Sequence, residues 1–284
     1  MKTKICKRFA LPFLGIAALS LLAAFPALAG EVKMSSTIGP IDAGIVPALV
    51  RAYEKKTGDR VVFEGAGTGA TLEKAKTGNF DLVMVHARKL EDQFVKEGFG
   101  VDRRDVMFND FVILGPAEDP AGIKGMKDAA GAFKKLAASG VVFFTRGDNS
   151  GTHVKEMEVW AKSGVNPQWE NYTTFSLGKL GNKATTAFAN KRKAYLLMDR
   201  ATVLTMGKEN KLAILVEGDP ILRNEIAVIA VNPSRFPKVN AAGAKAFMDW
   251  LVSDEAQTLI KDFGVEKYKQ PLFFPNSDSW KKSH

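Results

Sequence analysis

Cysteine is almost absent from this 284-residue chain. Its single example, Cys6, stands in a basic segment ahead of an apolar run, so it is not the lipid-modified cysteine that would follow such a run. If that segment is removed on export, no thiol is left for a disulfide, a thiolate metal site or a cysteine nucleophile. Histidine is scarce too: His86, His153 and His284 are the only three, and none forms a His-x-x-x-His or His-x-His pair. That excludes the common zinc hydrolase patterns. Ser150 and His153 lie three apart, yet two residues separate Gly147 from Ser150, so the Gly-x-Ser-x-Gly spacing of a serine nucleophile is missing. Gly65-Ala66-Gly67-Thr68-Gly69 lacks both the Gly-Lys-Ser/Thr ending of a nucleotide loop and the spacing of a dinucleotide fingerprint. No long Lys/Arg block marks a nucleic-acid surface. The acidic pairs Glu91-Asp92 and Glu217 with Asp219 fall in polar settings without aromatic sugar platforms, and read as solvated surface. Neither an enzyme nor a cofactor is read from these residues.

The N-terminus sets the compartment. Lys2, Lys4, Lys7 and Arg8 precede an apolar stretch over 11–27, closed by Ala27-Leu28-Ala29 and Gly30. Basic, apolar and small residues in that order make a secretory signal over 1–29, cleaved after Ala29. The apolar stretch is short for a retained anchor and ends in a cleavage-type sequence. Losing its four basic residues and no acidic one lowers the formal charge from +9 to +5. The mature chain of 255 residues is long enough to be stabilised by its core without disulfides.

Beyond the leader, apolar runs alternate with helix-period runs, which predicts α/β layers with a largely parallel sheet. Strands are expected over 32–37, 60–64, 81–86, 111–114, 141–144, 194–198, 212–216 and 227–231. Helices are expected over 45–57, 70–77, 123–139, 154–163, 241–251 and 255–263. Gly115-Pro116 and the segment near Glu225 punctuate the series. They divide it into one lobe over 30–115 plus 226–284 and a second over 116–225.

In a two-lobed α/β protein the ligand lies in the cleft at strand ends that face helix starts. The richest such junction is Thr145-Arg146-Gly147-Asp148-Asn149-Ser150-Gly151-Thr152-His153. Unpaired helix N–H groups and the positive end of the helix dipole favour an anion there, and Arg146 adds an always-ionised fork of donors. Asp148, Asn149 and Ser150 are also good N-cap residues, so the turn read alone is equally a plain helix start. Three further turns tip the balance: Ser35-Ser36-Thr37 with Gly39-Pro40, Gly65 with Gly67-Thr68-Gly69, and Gly178-Lys179-Leu180-Gly181-Asn182-Lys183. Each is glycine-rich and carries hydroxyl or lysine donors, as an anion-binding cleft requires. His86 is read as the end of a core strand, and His153 as packing in the first turn of its helix.

Gly67-Thr68-Gly69-Ala70, Asp81-Leu82-Val83-Met84-Val85-His86-Ala87, Asn109-Asp110-Phe111-Val112-Ile113, the 145–153 run, Glu217-Gly218-Asp219-Pro220 and Pro271-Leu272-Phe273-Phe274-Pro275 resemble the periplasmic tungstate-binding proteins of ABC transporters. The resemblance covers nearly the whole mature chain, and the Arg-Gly-Asp-x-Ser-Gly-Thr-His run is its specific part. It implies a type II periplasmic binding-protein fold, each lobe a mixed sheet flanked by helices, that closes on tungstate, or on molybdate, for an inner-membrane permease. It also implies that Arg146, Ser150, Gly151 and Thr152 contact the anion from the second lobe, and Thr37, Gly67, Thr68 and Gly69 from the first; Lys179, in a turn that departs from the family's pattern, is a further candidate contact. The partners so implied are one oxyanion and one permease, with no nucleic acid, no bare metal cation and a monomeric chain.

Two departures bear on the ligand. Ile38-Gly39-Pro40 interrupts the family's longer run of hydroxyls, and Gly178-Lys179-Leu180-Gly181 with Lys183 replaces a Gly-x-Gly-Met-Gly turn. A fully deprotonated MO₄²⁻ anion needs donors only, whereas phosphate benefits from a carboxylate acceptor, for which Asp148 and Asp42 are candidates. A receptor for phosphate or another anion, and a sensory domain built on the same cleft, stay open at this level.

Overall fold

β1 (Glu31–Thr37) buries Val32 and Met34 at alternate positions, the period-two pattern of a strand. The computed structural model to which it belongs describes residues 30–284, and the leader expected over 1–29 lies outside them. β1 runs parallel to β2 (Arg60–Ala66), with Thr37 opposite Ala66, and to β3 (Leu82–Val85), with Ser36 opposite Met84. Parallel neighbours need crossovers, here α1 (Ile38–Asp42) with α2 (Ile45–Thr57), and α3 (Thr68–Ala75). α4 (Arg88–Lys96) follows β3. Since parallel strands share polarity, the ends of β1 to β3 and the starts of α1, α3 and α4 gather at one edge of the sheet.

All of β3 is buried, and its residues face two layers in turn. Leu82 and Met84 pack with Val32, Leu49, Tyr53 and Phe247, while Val83 and Val85 pack with Leu72, Phe94 and Ile229. A continuous apolar run between turns is thus a strand covered on both faces.

β4 (Gly100–Gly115) carries the chain out of this lobe. Then come α5 (Ala129–Ser139), β5 (Phe143–Thr145), α6 (Gly151–Ser163), β6 (Tyr172–Thr174), α7 (Asn182–Arg192), β7 (Leu196–Asp199), α8 (Arg200–Met206) and β8 (Ala213–Val216). β9 (Arg223–Val231) returns, and α9 (Ala241–Leu251), α10 (Asp254–Asp262), α11 (Val265–Tyr268), β10 (Phe274–Pro275) and α12 (Asp278–Ser283) complete the first lobe. From Gly100 to Asp110, β4 pairs with β9; from Phe111 it pairs with β7, and from Ile113 with β8. Phe111 and Ile113 accordingly pack with Phe133, Phe143, Trp160 and Leu197, and Val112 and Leu114 with Phe144, Leu196 and Met198. The expected boundary at 115–116 falls at the end of β4 and that at 225–226 inside β9, whereas the sheet itself changes partners at 110–111 and begins its return at Arg223.

The sheet is mixed rather than largely parallel: β3–β9, β4–β9, β4–β7, β4–β8 and β10–β4 are all antiparallel. The two strands that connect the lobes, β4 and β9, run against each other. Sequence pattern finds only 111–114 of β4, because Asp102, Arg103, Arg104 and Asp105 break its alternation. Those charges are paired, Arg103 with Glu91 and Asp105, and Arg104 with Asp102 and Asp249. Glu91 is therefore buried rather than solvated, and its Oε1 accepts the Ala87 N–H at the start of α4 at 2.8 Å. Asp219, also expected in solvent, accepts N–H bonds from Ala129 and Ile221. α5 starts at Ala129 and not at 123: Gly125 has φ +81°, and the Asp128 carboxylate caps the helix by accepting the Gly131 N–H. Among the described residues no helix is long and apolar enough to cross a membrane.

Candidate functional site

One wall of the candidate site is the edge of the first lobe. There the Ser36 hydroxyl donates to the Thr37 carbonyl, and the Thr71 hydroxyl to the Ser36 carbonyl, each at 3.2 Å. Three neighbouring hydroxyls, Ser35 Oγ, Thr37 Oγ1 and Thr68 Oγ1, are buried and have no hydrogen-bond partner among the described residues. α3 begins behind Gly67, which has no side chain with which to cap it. The start of α1 likewise takes no hydrogen bond from the Thr37 side chain.

The opposite wall is built on the 145–153 turn. Gly147 and Asn149, with φ +61° and +56°, fold the chain back between β5 and α6. The Asp148 carboxylate is engaged at both oxygens, Oδ2 accepting from Arg146 Nη2 at 2.6 Å and Oδ1 from the Ser150 N–H at 3.1 Å. Ser150 Oγ accepts the His153 N–H at 3.3 Å, so it caps α6 and keeps its own hydrogen free to donate. His153 Nδ1 accepts the Asn149 N–H at 3.0 Å. Burial pushes this imidazole below its ordinary range, which suits its role as an acceptor. Ser150 and His153 therefore contact each other through a cap, not as nucleophile and base.

Arg146 is only 5% exposed. Its Nη1 donates to Asn182 Oδ1, and its Nη2 to Asp148 and to the Gly178 carbonyl at 2.9 Å. Its buried Nε–H has no acceptor among the described residues. Gly178 is required beside it, because a Cβ there would come within 2.6 Å of the Arg146 carbonyl oxygen. Asn182 links four groups: Oδ1 also accepts from Thr152 Oγ1 at 3.1 Å, and Nδ2 donates to Asp199 Oδ2 at 2.5 Å and to Thr202 Oγ1 at 3.5 Å. Burial raises the Asp199 carboxyl, while bonds from Thr202 and Asn182 and the Arg146 charge oppose the shift. Asp199 also caps α8 through the Thr202 N–H at 2.8 Å.

The two walls meet. A Cβ added to Gly67 would lie 3.6 Å from Ser150 Cα, and one on Gly69 would lie 2.7 Å from Asn149 Nδ2. One on Gly39 would reach Asn182 Nδ2 at 3.9 Å, and one on Gly151 would overlap the His86 ring. His86 is thus an interlobe contact as well as the residue after β3. Its Nδ1 bonds Asn224 Oδ1 at 2.9 Å, and Asn224 Nδ2 donates to Asn109 Oδ1 at 2.6 Å, where β9 and β4 cross between the lobes. Burial pushes the His86 imidazole down to about 4; the Asn224 bond opposes this, and Arg146 and Lys155 add to it. The neutral ring then donates from Nδ1 to Asn224.

Of the nine residues expected at the site, Gly67, Gly69, Ser150 and Gly151 meet across the cleft. Thr37 and Thr68 hold buried unpartnered hydroxyls, and Arg146 a buried unpartnered N–H. Thr152 differs, because its hydroxyl hydrogen is committed to Asn182. Lys179 lies in the short 3₁₀ turn Gly178–Leu180, whose first carbonyl accepts from Arg146. Sequence reasoning missed Asn182 as a hub, Asp199 and Thr202 as its supports, and His86 with Asn224 and Asn109. The one available signal was an Asn opening a helix after a Gly-x-x-Gly turn.

Two α/β lobes joined by two paired strands, with the donor-rich helix starts of one against those of the other, define a two-lobed solute receptor. The chain belongs to the PBP superfamily, whose domain model matches residues 29–255. It is 39% identical over 250 residues to a tungstate-binding protein, TupA, from Peptoclostridium acidaminophilum, covering 87% of this chain and 86% of that protein. A solved structure described as the tungstate ABC transporter from Geobacter sulfurreducens is 42% identical, with a TM-score of 0.75 over 82% of this chain and 98% of that one. TupA from Desulfovibrio alaskensis G20 is 36% identical, with a TM-score of 0.77 over 88% of this chain and all of that one.

Proposed function

We propose that this chain captures a small tetrahedral oxyanion, tungstate first and molybdate next, and hands it to an ABC permease. In this reading the anion lies between a lobe formed by residues 30–110 with 223–284 and a lobe formed by 111–222. The observation that carries it is the set of buried donors without protein acceptors, Arg146 Nε, Thr37 Oγ1 and Thr68 Oγ1, at the edge where the lobes meet. Each buried donor left unpaired costs about 1–3 kcal/mol. A ligand that consists only of acceptors removes that cost from both walls at once.

Asp148 favours a fully deprotonated anion. Phosphate keeps a proton near neutral pH and calls for a carboxylate to receive it. Both Asp148 oxygens already accept, from Arg146 and from Ser150, and Asp42 is exposed at the end of α1. Tungstate and molybdate bring no proton to place. The names of the relatives support the same ligand class.

In this account Ser150 donates its free hydroxyl hydrogen, Gly151 and Thr152 present backbone N–H groups at the start of α6, and Gly67, Thr68 and Gly69 do so at the start of α3. The bound anion links donors on both lobes and so stabilises the closed form, which is the form a permease recognises. The role is binding rather than catalysis, since Ser150 and His153 serve as cap and acceptor. The leader over 1–29 directs the chain to the periplasm.

A thermal-shift panel on the mature chain with tungstate, molybdate, sulfate, phosphate and small carboxylates tests the reading. A ligand at a hundred times its Kd adds about 2.7 kcal/mol, a clear rise in Tm. Tungstate and molybdate are expected to give the largest shifts. No shift with any oxyanion would sink the proposal.

A further inference from the structure

Arg146 does not reach the site as a free side chain. Three of its N–H bonds end on protein acceptors, Asn182 Oδ1, Asp148 Oδ2 and the Gly178 carbonyl, so the guanidinium is clamped on two sides. What the clamp leaves is the second Nη1 hydrogen and the buried Nε–H, the latter without an acceptor among the described residues. The Asp148 and Gly178 contacts come from the same turn and from the loop beside it. The Asn182 contact comes from the first turn of α7 and is itself braced by Asp199 and Thr202 at the start of α8.

The amide of Asn182 has only one workable orientation. Its oxygen accepts from two donors, Arg146 Nη1 and Thr152 Oγ1, and its nitrogen donates to a buried carboxylate and a hydroxyl. A flipped amide would turn NH₂ toward Arg146 and Thr152, and oxygen toward Asp199. An amide here also holds Arg146 without placing a negative charge against it. A carboxylate at the same position would abut Asp199 and offset the charge that a dianion needs.

We propose that Asn182 is a positioning residue of this site: braced by Asp199, it fixes the Arg146 fork so that Nε–H faces the anion, and thereby sets affinity without touching the ligand. This rests on the oxyanion reading above. If Asn182 acts through Arg146, its loss matters only while Arg146 is present.

A double-mutant cycle reads this directly. Tungstate affinity is measured by calorimetry for the full mature chain, Asn182→Ala, Arg146→Gln and the double variant, with circular dichroism and the ligand-free Tm recorded for each. Asn182→Ala is expected to weaken tungstate binding by about 30-fold, in the range of a hydrogen bond to a charged group, with no further loss in the Arg146→Gln background. Asp199→Asn, which keeps a capping oxygen for Thr202 but loses one acceptor, gives a smaller loss that also vanishes in that background. It serves where Asn182→Ala fails to fold. Additive losses, or unchanged affinity in the single variants, overturn the inference alone. A wild-type chain that binds none of the oxyanions overturns the functional reading, and the inference with it.

Discussion

The two walls of the proposed site are built by different means. On the second lobe the polar groups are already bonded to one another: Arg146 to Asp148, Gly178 and Asn182, and Asn182 to Thr152 and Asp199. On the first lobe Ser35, Thr37 and Thr68 hold buried hydroxyls with no partner among the described residues. One wall is preorganised, while the other waits for acceptors. On the oxyanion reading, closure driven by a ligand follows from that asymmetry, since the unpartnered hydroxyls of the first wall find acceptors when an anion bridges the lobes.

The largest expected effect breaks the preorganised wall. Arg146→Gln removes the one guanidinium of the clamp and is expected to lower tungstate affinity by at least about 100-fold, or about 3 kcal/mol, in calorimetry. An unchanged Kd would make Arg146 purely structural. Behind the same wall, Glu156 is buried and pushed up to about 7 by desolvation, with Oε1 accepting from Tyr172 Oη at 2.7 Å and Trp160 Nε1 at 3.0 Å. Between about pH 4.5 and 7 the unfolded chain releases this proton while the folded chain keeps it, so stability falls as pH rises through that window. Glu156→Gln keeps the acceptor oxygen and should remove this loss, stabilising the chain at pH 8 by up to about 3 kcal/mol in urea unfolding. Equal stability of both chains at pH 8 would contradict the assignment.

Isosteric changes sharpen the comparison at a smaller scale. Thr37→Val and Thr68→Val delete hydroxyls that have no protein partner, so the ligand-free Tm should hold or rise while tungstate binding weakens about tenfold. Thr152→Val cuts a bond within the preformed network and should instead lower the ligand-free stability by about 1 kcal/mol. The same response on both walls would remove the distinction. A second pH-dependent effect, comparable with that of Glu156, belongs to the interlobe contact of His86, whose imidazole is held down at about 4 by burial. Its contribution is complete above about pH 6.5 and is lost as pH falls toward 4, because the folded form resists the proton that the unfolded chain accepts. His86→Gln should flatten the pH dependence of Tm in that window, and an unaltered slope would contradict the burial of this ring.

Much of this contrast was legible in the residues, and the rest was not for physical reasons. The 145–153 turn, the Gly67-Thr68-Gly69 start and the α/β alternation announce themselves, because helix starts and buried strands have local composition. β4 hides its first eleven residues behind Asp102, Arg103, Arg104 and Asp105, which pair with one another and, through the two arginines, with Glu91 and Asp249 on other elements. The mixed sheet is likewise set by which strands cross between lobes, not by any strand's own pattern. Asn182 meets Arg146 across 36 positions and Asp199 across 17, so its part in the site exists only in the folded chain. Thr152 illustrates the converse: its place in the motif points to the ligand, and its hydroxyl points to Asn182.

Tungsten scatters X-rays anomalously, so a crystal of the mature chain grown with tungstate tests the central claim most directly. The account predicts one strong anomalous peak in the interlobe gap, with tungstate oxygens accepting from Arg146 Nε on one side and from the Thr37 and Thr68 hydroxyls on the other. A peak held by one lobe alone, or placed away from Arg146, would contradict it.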